Sequence, residues 1–260
     1  MKLSQIGVII GAILIVLLLI IAVLAGIISK NDPIQQSIQN TLEGPSAQHP
    51  FGTDRLGRDI FSRVLYGLRA NLGVGALAVL IALVIGAILG GAGGLLELFA
   101  GTPGKAINNI ITIFARFLSS GPSFLLLLAI AGSHISATVP ITIGIALILI
   151  PGFIRIASGA VLCGKEMRAT GIIGMVLAKI SLSMALAVLA YSILGFFGLG
   201  MQPPMPELGA MVSEGRSYLR ASPTSIIYPG LLLVVTVLSF NILGESLNSS
   251  LIGKADRKRA

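Results

Sequence analysis

The chain has 260 residues, of which 55% are hydrophobic and only 11% charged, with a mean hydropathy of +0.96. A soluble domain carries about 25% charged residues, so this composition specifies an integral membrane protein. The formal charge of +8 does not indicate a nucleic-acid partner, because the basic residues are spread over short loops and one tail without interleaved aromatics. A single cysteine, Cys163, excludes an intrachain disulfide framework and reads as a small apolar filler.

A bilayer crossing needs ~20 apolar residues, and six such stretches follow in order: Ile6–Ile28, Ala70–Leu96, Ile111–Gly132, Val139–Ser158, Met175–Leu199 and Ser225–Leu243. The first is longer than a signal-peptide core and lacks a small-x-small cleavage site before Lys30, so it reads as a retained helix. The third carries Arg116 near its start and Pro122 within it, which suits a helix kinked at the proline. An even number of spans places both termini on one side. With the termini inside, the inner face holds eleven Lys/Arg against four acids, and the outer face seven against six. The Lys/Arg bias therefore favours cytoplasmic termini, and the basic tail Lys254–Arg259 suits anionic headgroups.

Two outer segments result, 29–69 and 200–224, with a cytoplasmic loop at 159–174. The first contains His49–Arg63, a charge-dense, glycine-punctuated block that cannot lie in lipid. Apolar residues at Ile60, Phe61, Val64, Leu65, Leu68 and Leu72 predict a short interfacial helix over Arg58–Leu72, with Asp59 and Arg63 as an i,i+4 pair. Met201-Gln-Pro-Pro-Met-Pro cannot be helical and is expected to run along the surface. Gly86, Gly90 and Gly94 mark a helix face for close packing, inside the chain or against a partner. Gly101-Thr-Pro-Gly-Lys105 has neither the spacer nor the Ser/Thr of a phosphate loop and reads as a turn. His49 and His134 have no sequence neighbours that complete a metal site, and Met201 and Met205 read as filler or surface. Glu97 and Arg155 lie at inner span ends, within snorkelling reach of the interface.

Several ordered motifs carry a resemblance. His49-Pro-Phe-Gly-Thr-Asp, Gly57-Arg-Asp, Ser62-Arg and Gly67-x-Arg resemble the first outer-loop signature of the C-type permease subunits of dipeptide, oligopeptide and nickel ABC importers. Phe197-Gly-Leu-Gly-Met-Gln-Pro-Pro-x-Pro-x-x-Gly209, Glu214-Gly-Arg-x-Tyr218, Tyr228-Pro-Gly and Phe240-Asn-x-Leu-Gly are similar to its later signatures, in the same order over nearly the whole chain. The resemblance implies one all-α permease domain over 1–260 with the six-helix type I importer fold, in a prokaryotic inner membrane. It implies di/oligopeptide import by alternating access, with a nickel or nickel-chelate importer as the alternative. It also implies a B-type permease, two ATPases that carry ATP and Mg, an extracytoplasmic binding protein, and surrounding lipid. No enzymatic activity, cofactor, metal or nucleic acid is expected on this chain. Asp54, Arg55, Arg58, Asp59, Arg63, Glu214 and Arg216 are the expected binding-protein docking residues. The ATPase-coupling loop is a partial match through Lys165, Glu166, Arg168, Ala169, Gly171 and Gly174, without the family's Leu-Pro run. That loop is short, and a non-transporting scaffold derived from such a permease is the reading of another class.

Overall fold

The computed structural model describes residues 3–118, 138–163 and 169–256. Seven α-helices account for most of them: α1 (Leu3–Val23), α2 (Ala25–Ile28), α3 (Ile60–Leu118), α4 (Thr138–Cys163), α5 (Ala169–Phe196), α6 (Leu208–Gly215) and α7 (Thr224–Asp256). Short 3₁₀ turns lie at Ile38–Asn40 and Arg216–Tyr218. No strand forms among the described residues, only an isolated bridge between Thr53 and Asp59.

Among the described residues, five helices are long and apolar enough to cross a membrane: Gln5–Val23, Ile60–Phe117, Thr138–Cys163, Gly171–Phe196 and Thr224–Leu251. Their outward faces are hydrocarbon. Ile13, Leu80, Ile88 and Leu231 are each more than half exposed, a surface that only lipid or another apolar partner can cover. The chain is a multi-pass helical membrane protein.

The 59 residues of α3 would extend ~88 Å as one rod, nearly three times the hydrocarbon thickness. The helix instead breaks at Gly101, where φ is 60° and ψ −128°, and Pro103 follows. Only glycine adopts that backbone at low cost. The second limb folds back on the first: Asn108 Nδ2 donates to Glu97 Oε2 at 2.5 Å, and Ser158 of α4 reaches Asn108 Oδ1 at 3.3 Å. The helix after the break thus begins well before the expected Ile111. The rest of the expected third span, with Pro122, lies outside the described residues.

The first limb of α3 packs along α4. Cβ atoms at Gly86, Gly90 and Gly94 would lie 2.4 Å from Phe153, 2.3 Å from the Ile154 carbonyl and 2.9 Å from Val161. Three glycines one turn apart let the two backbones approach in a way no side chain permits. On the other flank α7 lies between α1 and α5. Gly11 meets the Leu243 backbone, and Ser181 donates to the Phe240 carbonyl at 2.7 Å. The core joining these layers is built around Leu68, Leu72, Val188, Tyr191 and Leu194.

No separate interfacial helix precedes α3. The helix runs unbroken from Ile60 into the membrane, because no glycine-proline break interrupts it before Gly101. At the opposite end, α4 is helical through Cys163 and α5 is helical from Ala169, so helix occupies 159–163 and 169–174, where a loop over 159–174 was expected; residues 164–168 lie outside the described residues. Cys163 is exposed there and is not core filler.

Candidate functional site

The polar end of the molecule is where 29–59 and 197–223 meet. The first segment has only the 3₁₀ turn at Ile38–Asn40 and the Thr53–Asp59 bridge as regular structure, so most of its backbone polar groups find local partners. Thr53 donates to the Asn40 carbonyl and accepts from the Glu43 N–H. Gly57 has φ of 68°, and a Cβ there would collide with the Ser37 carbonyl. Phe51 stacks on Tyr228 of α7, with ring centroids 3.7 Å apart, and meets Phe61 edge-on at 5.0 Å.

Charged residues then lock this segment in place. Asp54 accepts from the N–H groups of Leu56 (2.8 Å) and Arg58 (3.0 Å) and from Arg58 Nε (2.6 Å). Arg58 Nη2 donates across to Glu214 Oε2 of α6 at 2.9 Å. Arg63 Nη1 lies 3.3 Å from Asp54, and Arg63 Nη2 donates to Glu214 at 3.4 Å. Two cations and two carboxylates therefore alternate in one ring that ties the first segment, α3 and α6 together. Arg58 is 1% exposed and Arg63 2%.

Asp59 stands apart from that ring. It caps α3 by accepting from the Ser62 N–H at 2.9 Å and from the Ser62 hydroxyl, and His49 Nδ1 contacts it at 3.0 Å. The expected Asp59–Arg63 pair is corrected by this geometry. The Asp59 carboxylate caps the exposed amides of the first turn, and Arg63 turns the other way, to Asp54 and Glu214.

A second polar cluster lies deeper. Glu207, with no exposed surface, caps α6 by accepting from Gly209 N–H (2.8 Å) and Ala210 N–H (2.7 Å). Asn71 of α3 donates to Glu207 Oε1 (3.2 Å) and Ser192 Oγ of α5 (2.6 Å) and accepts from the Leu208 N–H (3.3 Å). Burial pushes the Glu207 carboxyl up to about 6, against the lowering effect of the two backbone donors and Asn71. Gly195 leaves room for it, since a Cβ there would overlap Glu207 Oε2.

Asp54, Arg58, Asp59 and Arg63 are buried as braces and Glu214 is only partly exposed, while Arg55 and Arg216 are exposed. The buried four offer little side-chain surface, the Asp54 side chain the most at 12% exposed. Arg216 lies over the Phe196 ring at 5.9 Å. Of the coupling residues, Lys165, Glu166 and Arg168 lie outside the described residues. Ala169 starts α5, Gly171 is inside it, and Gly174 faces Leu251 of α7. Among the described residues no group of three or more His, Cys, Asp or Glu could hold a metal. Sequence reasoning passed over Asn71 and Glu207. Asn71 had a signal, an amide alone in an apolar helix; Glu207 had none, because the short α6 that it caps shows no clear period.

Comparison with known proteins places this arrangement. The chain is 33% identical over 263 residues to the dipeptide transport system permease protein DppC of Alkalihalophilus pseudofirmus, covering 94% of this chain and 84% of that one. It is 34% identical to the glutathione transport system permease protein GsiD of Pectobacterium atrosepticum, over 80% of this chain and 74% of that one. It is 31% identical to the probable D,D-dipeptide transport system permease protein DdpC of Escherichia coli, over 96% and 88%. No family model matches. The fold is that of a membrane permease subunit rather than an ATPase. The chain belongs to the C-type permease family of peptide-type ABC transport systems.

Proposed function

We propose that this chain is half of the translocation path of an ATP-driven importer for di- and oligopeptides, working by alternating access. The observation that carries the reading is the family relationship to permeases of a dipeptide system across 94% of the chain and of a glutathione system across 80%. The type I fold with six crossings is the architecture we propose; five apolar helices among the described residues and the permease relatives support it. The polar end faces outward and both termini lie in the cytoplasm of a prokaryotic cell, as the Lys/Arg bias requires.

In this reading the ion ring serves docking indirectly. It holds 29–59 and 197–223 as one rigid platform, whose exposed Arg55, Arg216 and Arg220 meet the binding protein. A groove of about 480 Å³ lined by Tyr66, Arg69, Gly73, Met201 and Met205 opens beside the platform and gives a peptide a way in. A B-type permease covers the apolar face of α3. Two ATPases that bind ATP and Mg engage the opposite end, at 164–168 and the flanking helix ends. Affinity isolation tests the reading: a second permease and two ATPases are expected with this chain, and a stable homomer would refute it.

The partial coupling-loop match over 159–174, without the family's Leu-Pro run, favours a second reading, a permease-derived scaffold that does not transport. Peptide uptake that depends on this chain would eliminate it. A nickel importer remains the alternative cargo, and binding-protein affinity for nickel against dipeptides decides between them.

A further inference from the structure

Arg155 on α4 and Lys179 on α5 are ionisable groups at membrane depth that neither polar-end network uses. At 1.5 Å per residue, Arg155 lies about 12 Å from the Cys163 end of α4, and Lys179 about 15 Å from the Ala169 end of α5. The helices have 26 and 28 residues, so both positions fall within the hydrocarbon layer. The Lys179 stem crosses onto α4. Its Cε and Nζ stand 2.3 and 2.5 Å from the place a Cβ on Gly152 would take. Gly152 is about 16 Å from Cys163, so the ammonium stays level with its own Cα. A lysine snorkelling to headgroups would extend towards the helix end.

Arg155 acts on Lys179 as a like charge. Among the described residues no carboxylate lies within ion-pair distance of either. Ser183, one turn along α5 on the same face as Lys179, is 1% exposed, and its hydroxyl has no hydrogen-bond partner among the described residues. Gly159, one turn from Arg155, has no atom of the described residues within 4 Å of where a Cβ would be. Two cations and an unused hydroxyl at this depth are costly unless an anion neutralises them.

We infer that Arg155, Lys179 and Ser183 form a binding site for the carboxylate of a solute in transit, namely the terminal carboxylate of a short peptide. The inference deepens the importer reading and rests on it. Depth decides against a lipid headgroup, because the ammonium does not reach towards the interface.

The test uses the full chain in lipid nanodiscs, with Cys163→Ser removing the native thiol and Gly159→Cys as reporter. Anionic and cationic methanethiosulfonate reagents of equal size are compared, each normalised to its rate with a free thiol. The anionic reagent is expected to react several-fold faster. That preference should collapse in Arg155→Gln and in Lys179→Gln, and survive in Lys179→Arg. A dipeptide should slow the anionic reaction, and its C-terminal amide should not. Equal rates, no reaction with either reagent, or protection by anionic lipid but not by dipeptide would overturn the assignment. Failure of the importer reading is distinguishable: the wild-type complex would then show no peptide uptake while the labelling preference stood.

Discussion

Replacing Arg58 with alanine should be among the most damaging single changes at the polar end. Arg58 is 1% exposed and joins Asp54 through Nε at 2.6 Å and Glu214 through Nη2 at 2.9 Å. Its removal leaves two acids around one remaining cation, Arg63. Breaking a buried pair by deleting one partner costs about 3–5 kcal/mol. For a chain of this size that is a fall in Tm of roughly 10 °C. Glu214→Gln should cost less, about 1–2 kcal/mol, because its side chain is 25% exposed and the amide keeps one acceptor. In the double variant the two effects should be sub-additive by about 1 kcal/mol or more. The assay is thermal unfolding of the purified chain in detergent, at low and high salt. A buried ring is screened little, so the losses should persist in high salt. A loss below 1 kcal/mol for Arg58→Ala, strict additivity, or disappearance of the effect in high salt would refute the buried brace.

Gly90→Ala should lower thermal stability by about 1–3 kcal/mol, since its Cβ would meet the Ile154 carbonyl at 2.3 Å. The adjacent Gly91→Ala, with no atom within 4 Å of the added methyl, should be neutral or gain up to about 1 kcal/mol from helix propensity. The same unfolding assay reads both, and an equal effect would contradict the α3–α4 contact. Glu207 is held near 6 against an ordinary 4.5, so the folded state binds the proton more tightly than the unfolded one. Its contribution is therefore fully present below pH 4.5 and lost as the pH rises through 6, about 2 kcal/mol in all. Glu207→Gln should abolish that dependence between pH 4.5 and 6.5, at the cost of about 1 kcal/mol for one lost cap bond; an unchanged profile would refute it. Replacing Tyr228 with alanine should loosen the first segment through loss of the Phe51 stack. Faster protease cleavage within 29–59, with the membrane helices intact, is the expected readout.

The sequence made the membrane class, the non-helical 201–206 stretch and the turn at Gly101 readable, because composition, proline chemistry and glycine spacing are local signals. Glu207 and α6 were not readable. An eight-residue helix between proline-rich loops has too little periodicity to stand out, and its cap is tertiary, completed by Asn71 from 136 residues away. The charged block shows the same limit. Asp54, Arg58 and Arg63 look like surface charges in a polar loop, and only Glu214, 156 residues from Arg58, turns them into a buried ring. Asp59 was paired with Arg63 by helical spacing, but spacing does not reveal that a helix starts at Ile60 and needs a cap. At the opposite end the shortened match at 163–174 was visible in the sequence. That helix extends over 159–163 and 169–174 was not, since a bilayer crossing of ~20 residues is already complete without those residues.

Uptake decides whether this chain moves peptides. Complexes isolated through this chain are reconstituted into proteoliposomes, and entry of a labelled dipeptide is followed with and without ATP and the binding protein. The structure and the family predict uptake that requires both and disappears when the complex lacks this chain. A complex without an ATPase, or with ATPases but no ATP-dependent dipeptide entry, would contradict an importer and leave the scaffold standing.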